Sequence, residues 1–165
     1  MFSILLIAFW SAVTYHIAQK DYRWIISKVK KLVIIWMLFV IGVFFVSLIF
    51  NNIVSIWLGN NADEYDPWLI ALFASYCAIT SFTAIFVNVL NGIGAIKVQF
   101  MLGVIEAIIN IPLSIFFARY CEMGIFGVKF ATLICSLMSL FILPLNAIMI
   151  LKKYVGDDKK YEVDI

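Results

Sequence analysis

The sequence predicts an all-α integral membrane protein, and three observations carry the prediction. Hydrophobic residues make up 65% of the 165-residue chain and charged residues 13%, with a mean hydropathy of +1.06, too apolar for the surface of a soluble domain. Four apolar runs, residues 32–50, 68–90, 98–118 and 130–151, are each long enough to cross a hydrocarbon core of ~30 Å as a helix. Charged side chains collect between these runs, and only the third run holds one in its interior, Glu106.

Residues 1–13, "MFSILLIAFWSAV", are apolar but too short to span. A secretory signal would begin with a basic residue, and none precedes Lys20. The segment reads as the closing half of a truncated transmembrane helix; cleavage near "SAV" is the alternative.

Residues 14–31 follow with apolar positions at Tyr15, Ala18, Tyr22, Ile25, Ile26 and Val29 and with His16, Lys20, Arg23, Ser27 and Lys30 opposite. That spacing predicts an amphipathic helix on the cytoplasmic surface. Lys20, Arg23, Lys30 and Lys31 are its candidate contacts to lipid headgroups, and a snorkelling connector is the plainer reading. His16 reads as a solvated residue on the wet face.

Residues 32–151 then form a four-helix transmembrane bundle, and residues 152–165 a polar tail. Ten of the twelve Lys and Arg lie before the first full run, in the third loop or in the tail; the other two, Arg119 and Lys129, lie in the fourth loop. The second loop, "NNADEYDP", is acidic. Because positive charge is retained on the cytoplasmic side, the tail and residues 20–31 are predicted to face the cytoplasm. The net charge of +2 reflects this asymmetry and makes no case for nucleic acid.

Within the spans, helical stepping lines up Gln99, Gly103, Glu106, Asn110 and Ser114 on one face of the third run. The second run gives Cys77, Ser81, Ala84, Asn88 and Asn91, and the last gives Thr132, Ser136, Ser139 and Asn146. The first run, bulky all round, is expected against lipid; the other three should turn their stripes toward one another or toward a water-filled cavity. Small residues at this spacing also serve close helix packing. A charge near the bilayer centre costs ~2.5–3.5 kcal/mol on insertion scales, so Glu106 needs a partner, a proton or a cavity. Lys97 and Arg119 lie about 13 and 20 Å away along the helix, too far for an ion pair. Three readings stay open: a neutral carboxyl bonded to Asn110, a pair with a cation outside this chain, or a group facing an aqueous path. Glu106, Asn110, Asn88, Asn91 and Gln99 are therefore the substrate-path or ion-coupling candidates. Pro112 and Pro144 each remove a helical hydrogen bond and are candidate kinks.

The sequence has no phosphate-binding loop, dinucleotide fingerprint or clustered metal ligands, so neither an enzyme, a cofactor nor a metal site is expected. Its three cysteines read as small packing residues. "NGIGAIK" at 91–97 reads as a tight turn in which Gly92 and Gly94 supply conformations other residues resist.

"FWSAVTYHIAQKDYRWIISKVKKL", "SIWLG" at 55–59, "NVLNGIGAIKVQ" at 88–99, "IINIPLSIFFA" at 108–118 and "MGIFGVKFAT" at 123–132 occur in an order that resembles the C-terminal part of bacterial polysaccharide-biosynthesis flippases. These are the O-antigen, capsule and exopolysaccharide transporters of the multidrug/oligosaccharidyl-lipid/polysaccharide superfamily. The resemblance implies one part of a two-bundle, repeat-built transporter in the bacterial cytoplasmic membrane. It implies a lipid-linked substrate, an undecaprenyl-diphosphate oligosaccharide, moved by alternating access with an ion gradient as the driving force. Family members often carry Arg or Lys in the central cavity, whereas no complete run here contains a cation, so that role is expected of an N-terminal bundle in the same or a companion chain. The departure from the family is size, as expected either for the downstream product of a split or frameshifted gene or for a piece cropped from a longer protein. A multidrug exporter of the same superfamily and a non-transporting membrane scaffold are the alternatives.

Overall fold

Apolar runs separated by short polar breaks leave the backbone one way to satisfy its hydrogen bonds in lipid, and the chain takes it. A computed structural model describes residues 2–58 and 65–163, and among these every regular element is helical. They are α1 (Phe2–Ala18), α2 (Tyr22–Leu48), α3 (Phe50–Leu58), α4 (Pro67–Ile93), α5 (Ile96–Ile115) with a π-helical extension (Phe116–Tyr120), and α6 (Gly124–Val163). Four of them, α2, α4, extended α5 and α6, are long and apolar enough to cross a membrane. The chain is thus an all-α, multi-pass membrane protein.

The segment 14–31 is not one helix, as its periodicity suggests. Its first five residues end α1, residues 19–21 form a turn, and residues 22–31 open α2. Lys20 takes a left-handed φ of 59°, its N–H donates to Ile17 O (3.0 Å) and the Asp21 N–H donates to His16 O (2.9 Å), the paired bonds of a Schellman closure. Asp21 then caps α2 by accepting from the Trp24 N–H at 3.2 Å. At 27 residues α2 is about 40 Å long, so its basic first turns extend past a hydrocarbon core that the apolar remainder fills. Ile34, Leu38, Ile41 and Phe45 stand exposed along it, as lipid-facing residues do.

Asp66 caps α4 by accepting from the Trp68 N–H (3.0 Å), with Pro67 at the first helical position. Just before it, Asn51 of α3 clamps Tyr65: Asn51 Nδ2 donates to Tyr65 O and the Tyr65 N–H donates to Asn51 Oδ1, both at 3.1 Å. Gly94, at φ 80°, closes α4 with N–H bonds from Gly94 to Asn91 O (3.1 Å) and from Ala95 to Leu90 O (2.8 Å). Gly92 has a different task from the one its place in "NGIG" suggests. It is helical and buried, and a Cβ there would lie 2.5 Å from Val13 Cγ1, so its lack of a side chain is what lets α1 seat on α4.

α6 packs along both α4 and α5, whereas α4 and α5 scarcely touch beyond their turn. The buried core gathers at one end of the bundle, where Phe9 and Val13 of α1, Ile25 of α2, Ile85 and Leu90 of α4 and Leu151 of α6 meet. Tyr22 and Tyr154 stack at that same end, which is also the end carrying Lys20, Arg23 and Lys97. Neither Pro112 nor Pro144 terminates its helix. The polar tail is also not separate in structure, since α6 continues through it to Val163. Asp63 and Glu64 of the acidic loop, and the side chains of Lys159 and Lys160, lie outside the described residues.

Candidate functional site

Because α4 and α5 diverge across α6, a groove of about 500 Å³ opens between them with α6 as its floor. Gly103, Glu106 and Asn110 of α5 line one wall and Tyr76, Thr80 and Thr83 of α4 the other; Thr132, Cys135, Ser136 and Ser139 form the floor. A polar groove walled by otherwise apolar membrane-length helices is the outstanding chemical feature of the molecule.

Glu106 finds its partner across the helix interface. Its Oε1 accepts from Ser139 Oγ at 2.6 Å and from the Ser139 N–H at 3.1 Å. A bond to Asn110, one turn along the same helix and one of the three readings open for Glu106, is not made. Asn110 instead donates through Nδ2 to Thr132 Oγ1 (3.2 Å) and accepts from Ser114 Oγ (3.1 Å), while Thr132 donates to Val128 O (3.0 Å). Two polar links thus cross from α5 to α6, in the order an antiparallel pair requires. Glu106 Oε2 accepts no hydrogen bond from a described residue and opens on the groove, and beside it Gly103 leaves free space, with nothing within 4 Å of where its Cβ would stand.

The stripes of α5 and α6 meet, as their spacing predicts; the α4 stripe does not join them. Ser81 turns to α2, where its Oγ and Ala78 O accept the Trp36 indole N–H at 3.1 and 2.9 Å. Asn88 Nδ2 donates to Ala84 O of its own helix at 2.8 Å. Asn91 and Gln99 are brought together, Gln99 Nε2 donating to Asn91 Oδ1, but they brace the α4–α5 turn and do not line the groove. The α4 groove face is Tyr76, Thr80 and Thr83, about a quarter turn round the helix from the predicted stripe. Asn146 stays out of the groove as well, its buried Oδ1 without a hydrogen-bond partner.

One charged residue near the groove escapes sequence reasoning. Lys129 is not in a loop: it lies in the second turn of α6, with Nζ 3.4 Å from the Tyr76 ring centroid and 4.5 Å from that of Phe73. A cation therefore stands within a membrane-length helix, held on the aromatic ring that ends the groove. His16 is also not solvated. It is 19% exposed, stacked on Trp24 at 3.7 Å, with Nδ1 3.3 Å from Asp21 Oδ2 but not aligned for a hydrogen bond. Arg23, Lys30 and Lys31 are exposed on α2, and Lys20 occupies the α1–α2 turn. No group of three potential metal ligands occurs among the described residues.

No protein-family model matches this sequence, and no curated protein and no solved structure is significantly similar to it.

Proposed function

We propose that the chain forms the C-terminal portion of a flippase that carries an undecaprenyl-diphosphate-linked oligosaccharide across the bacterial cytoplasmic membrane for polysaccharide biosynthesis. The order of motifs along the chain suggests the family, and the groove between α4, α5 and α6 is the observation that carries the reading. A sugar headgroup crossing a bilayer needs a wall of hydroxyl, amide and carboxyl groups, and Thr80, Thr83, Glu106, Asn110 and Thr132 furnish one. Lys129 adds a positive charge at the groove's end, suited to a diphosphate oxygen. Glu106, with one oxygen fixed by Ser139 and one free, is the ion-coupling group. The core-bearing, lysine-rich end faces the cytoplasm by the positive-inside rule, which places the C-terminus there.

The cross-helix bonds of Glu106 and Asn110 favour a second reading, a membrane scaffold in which these groups only fasten α5 to α6. Gly103→Phe and Glu106→Gln in the native membrane separate the two. Periplasmic exposure of lipid-linked oligosaccharide is the readout. The flippase reading expects Gly103→Phe, whose Cβ meets nothing within 4 Å and whose ring would occupy the groove, to abolish exposure and Glu106→Gln to uncouple it from the ion gradient. Normal exposure in both variants, with the protein present at its usual level, would leave the scaffold. Lost drug resistance with unchanged oligosaccharide exposure would point to the multidrug exporter.

A further inference from the structure

A second cleft, of about 530 Å³, lies between α2, α4 and α6. Its walls are almost wholly apolar: Ile26, Val29 and Val33 of α2, Phe86 of α4, and Ala147 and Leu151 of α6. It extends along α2 from Ile26 to Ile34, about 12 Å at 1.5 Å per residue. Only two charged side chains border it, Lys30 from α2 and Lys152 from α6, both exposed and neither with an acidic partner among the described residues.

From this juxtaposition we infer that the cleft is a binding site for an anionic phospholipid, its acyl chain lying against Val29, Val33 and Ala147 and its phosphate held between Lys30 and Lys152. Charge complementarity selects the occupant. An apolar slot that opens on lipid fills with an acyl chain, and two bordering lysines with no acidic partner among the described residues favour a headgroup with net negative charge over a zwitterionic one. Lysines from two different helices border the same cleft, which sets the site apart from the general basic character of this end of the bundle. The inference depends on the membrane setting alone and not on the flippase reading.

Native mass spectrometry of the full chain, extracted in mild detergent and titrated with phosphatidylglycerol or phosphatidylcholine, tests it. Retention of phosphatidylglycerol over phosphatidylcholine is expected, with Lys30→Gln/Lys152→Gln weakening that retention on the order of tenfold. The control pair Lys97→Gln/Lys153→Gln removes the same charge from exposed positions that do not line the cleft and should leave retention nearly unchanged. Ala147→Phe, which fills the slot and spares both lysines, should also expel the lipid. Equal retention of the two lipids would overturn the proposal, as expected if protein covers the cleft. Equal losses in the two charge-removal pairs would also overturn it, because a diffuse basic surface would then explain the binding.

Discussion

Glu106 on α5 and Ser139 on α6 are joined by two hydrogen bonds to one carboxylate oxygen, 2.6 Å from the serine hydroxyl and 3.1 Å from its backbone N–H. Ser139→Ala removes the shorter bond and keeps the other. Side-chain hydrogen bonds inside membranes average about 0.6 kcal/mol and reach about 1.7, so the variant should lose about 1 kcal/mol in reversible unfolding from mixed micelles. Glu106→Gln should lose less, because its amide oxygen still accepts from both donors.

The same pair shows what was legible in the sequence. Glu106, Asn110, Thr132 and Ser139 fall at helical spacing in bulky apolar runs, and a polar face in such a run has few places to go but another polar face. On α4 two faces are equally polar, Cys77–Ser81–Asn88 and Tyr76–Thr80–Thr83. Sequence cannot choose between them because serine and threonine satisfy themselves locally, Ser81 Oγ on Cys77 O (2.7 Å) and Thr80 Oγ1 on Tyr76 O (2.8 Å). What decides is Trp36, 45 residues from Ser81, reaching across from α2. The α1–α2 break had a local signal, Asp21 three residues before Trp24 as an N-cap, but with Lys20 where a glycine would ordinarily mark the stop, hydrophobic periodicity runs straight through.

That Lys20 leads to a prediction. A non-glycine residue in the left-handed region costs about 1–2 kcal/mol, so Lys20→Gly should stabilise the chain by up to about 1 kcal/mol after glycine's larger unfolded-state entropy is set against it. Lys20→Val, β-branched at φ 59°, should destabilise it. Paired unfolding curves in micelles check the opposite signs.

Two glycines of the α5–α6 pair should respond in opposite ways to alanine. At Gly127 the new Cβ would lie 2.7 Å from Phe117 C and 2.8 Å from Ala118 N, backbone atoms of the π-helical extension that cannot swing aside. Gly127→Ala is expected to cost about 1–3 kcal/mol, as overpacking does. Gly103→Ala meets nothing within 4 Å and should be neutral or stabilising, by up to about 1 kcal/mol from helix propensity. Comparable losses at both sites would show that α5 and α6 do not pack in this register.

The seating of α1 on α4 calls for a rescue experiment. Gly92→Ala drives a methyl group into Val13, 2.5 Å from Cγ1 and 2.7 Å from Cβ, and the stiff β-branched side chain has no better rotamer in a helix. Alanine at 13 would keep the Cβ 2.7 Å away, whereas glycine opens the space, so Gly92→Ala/Val13→Gly should be more stable than the sum of the two single losses, with a coupling of about 0.5–3 kcal/mol. Purely additive losses would mean that α1 does not seat against Gly92.

Lys129 and Tyr76 form the contact whose energetics bear most directly on the groove. An ammonium group 3.4 Å from a ring centroid is attracted by the ring's negative face with an energy of about 0.5–2 kcal/mol. Lys129→Met keeps the aliphatic stem and removes the charge; Tyr76→Leu keeps an apolar wall and removes the ring. A double-mutant cycle should therefore return a coupling in that range, and Tyr76→Phe, which retains the π face, should preserve most of it. The phenolic hydroxyl would be the partner if Tyr76→Phe lost the coupling. A coupling near zero in the whole series would mean that the lysine merely snorkels toward the surface, and the groove would then end without a fixed cation.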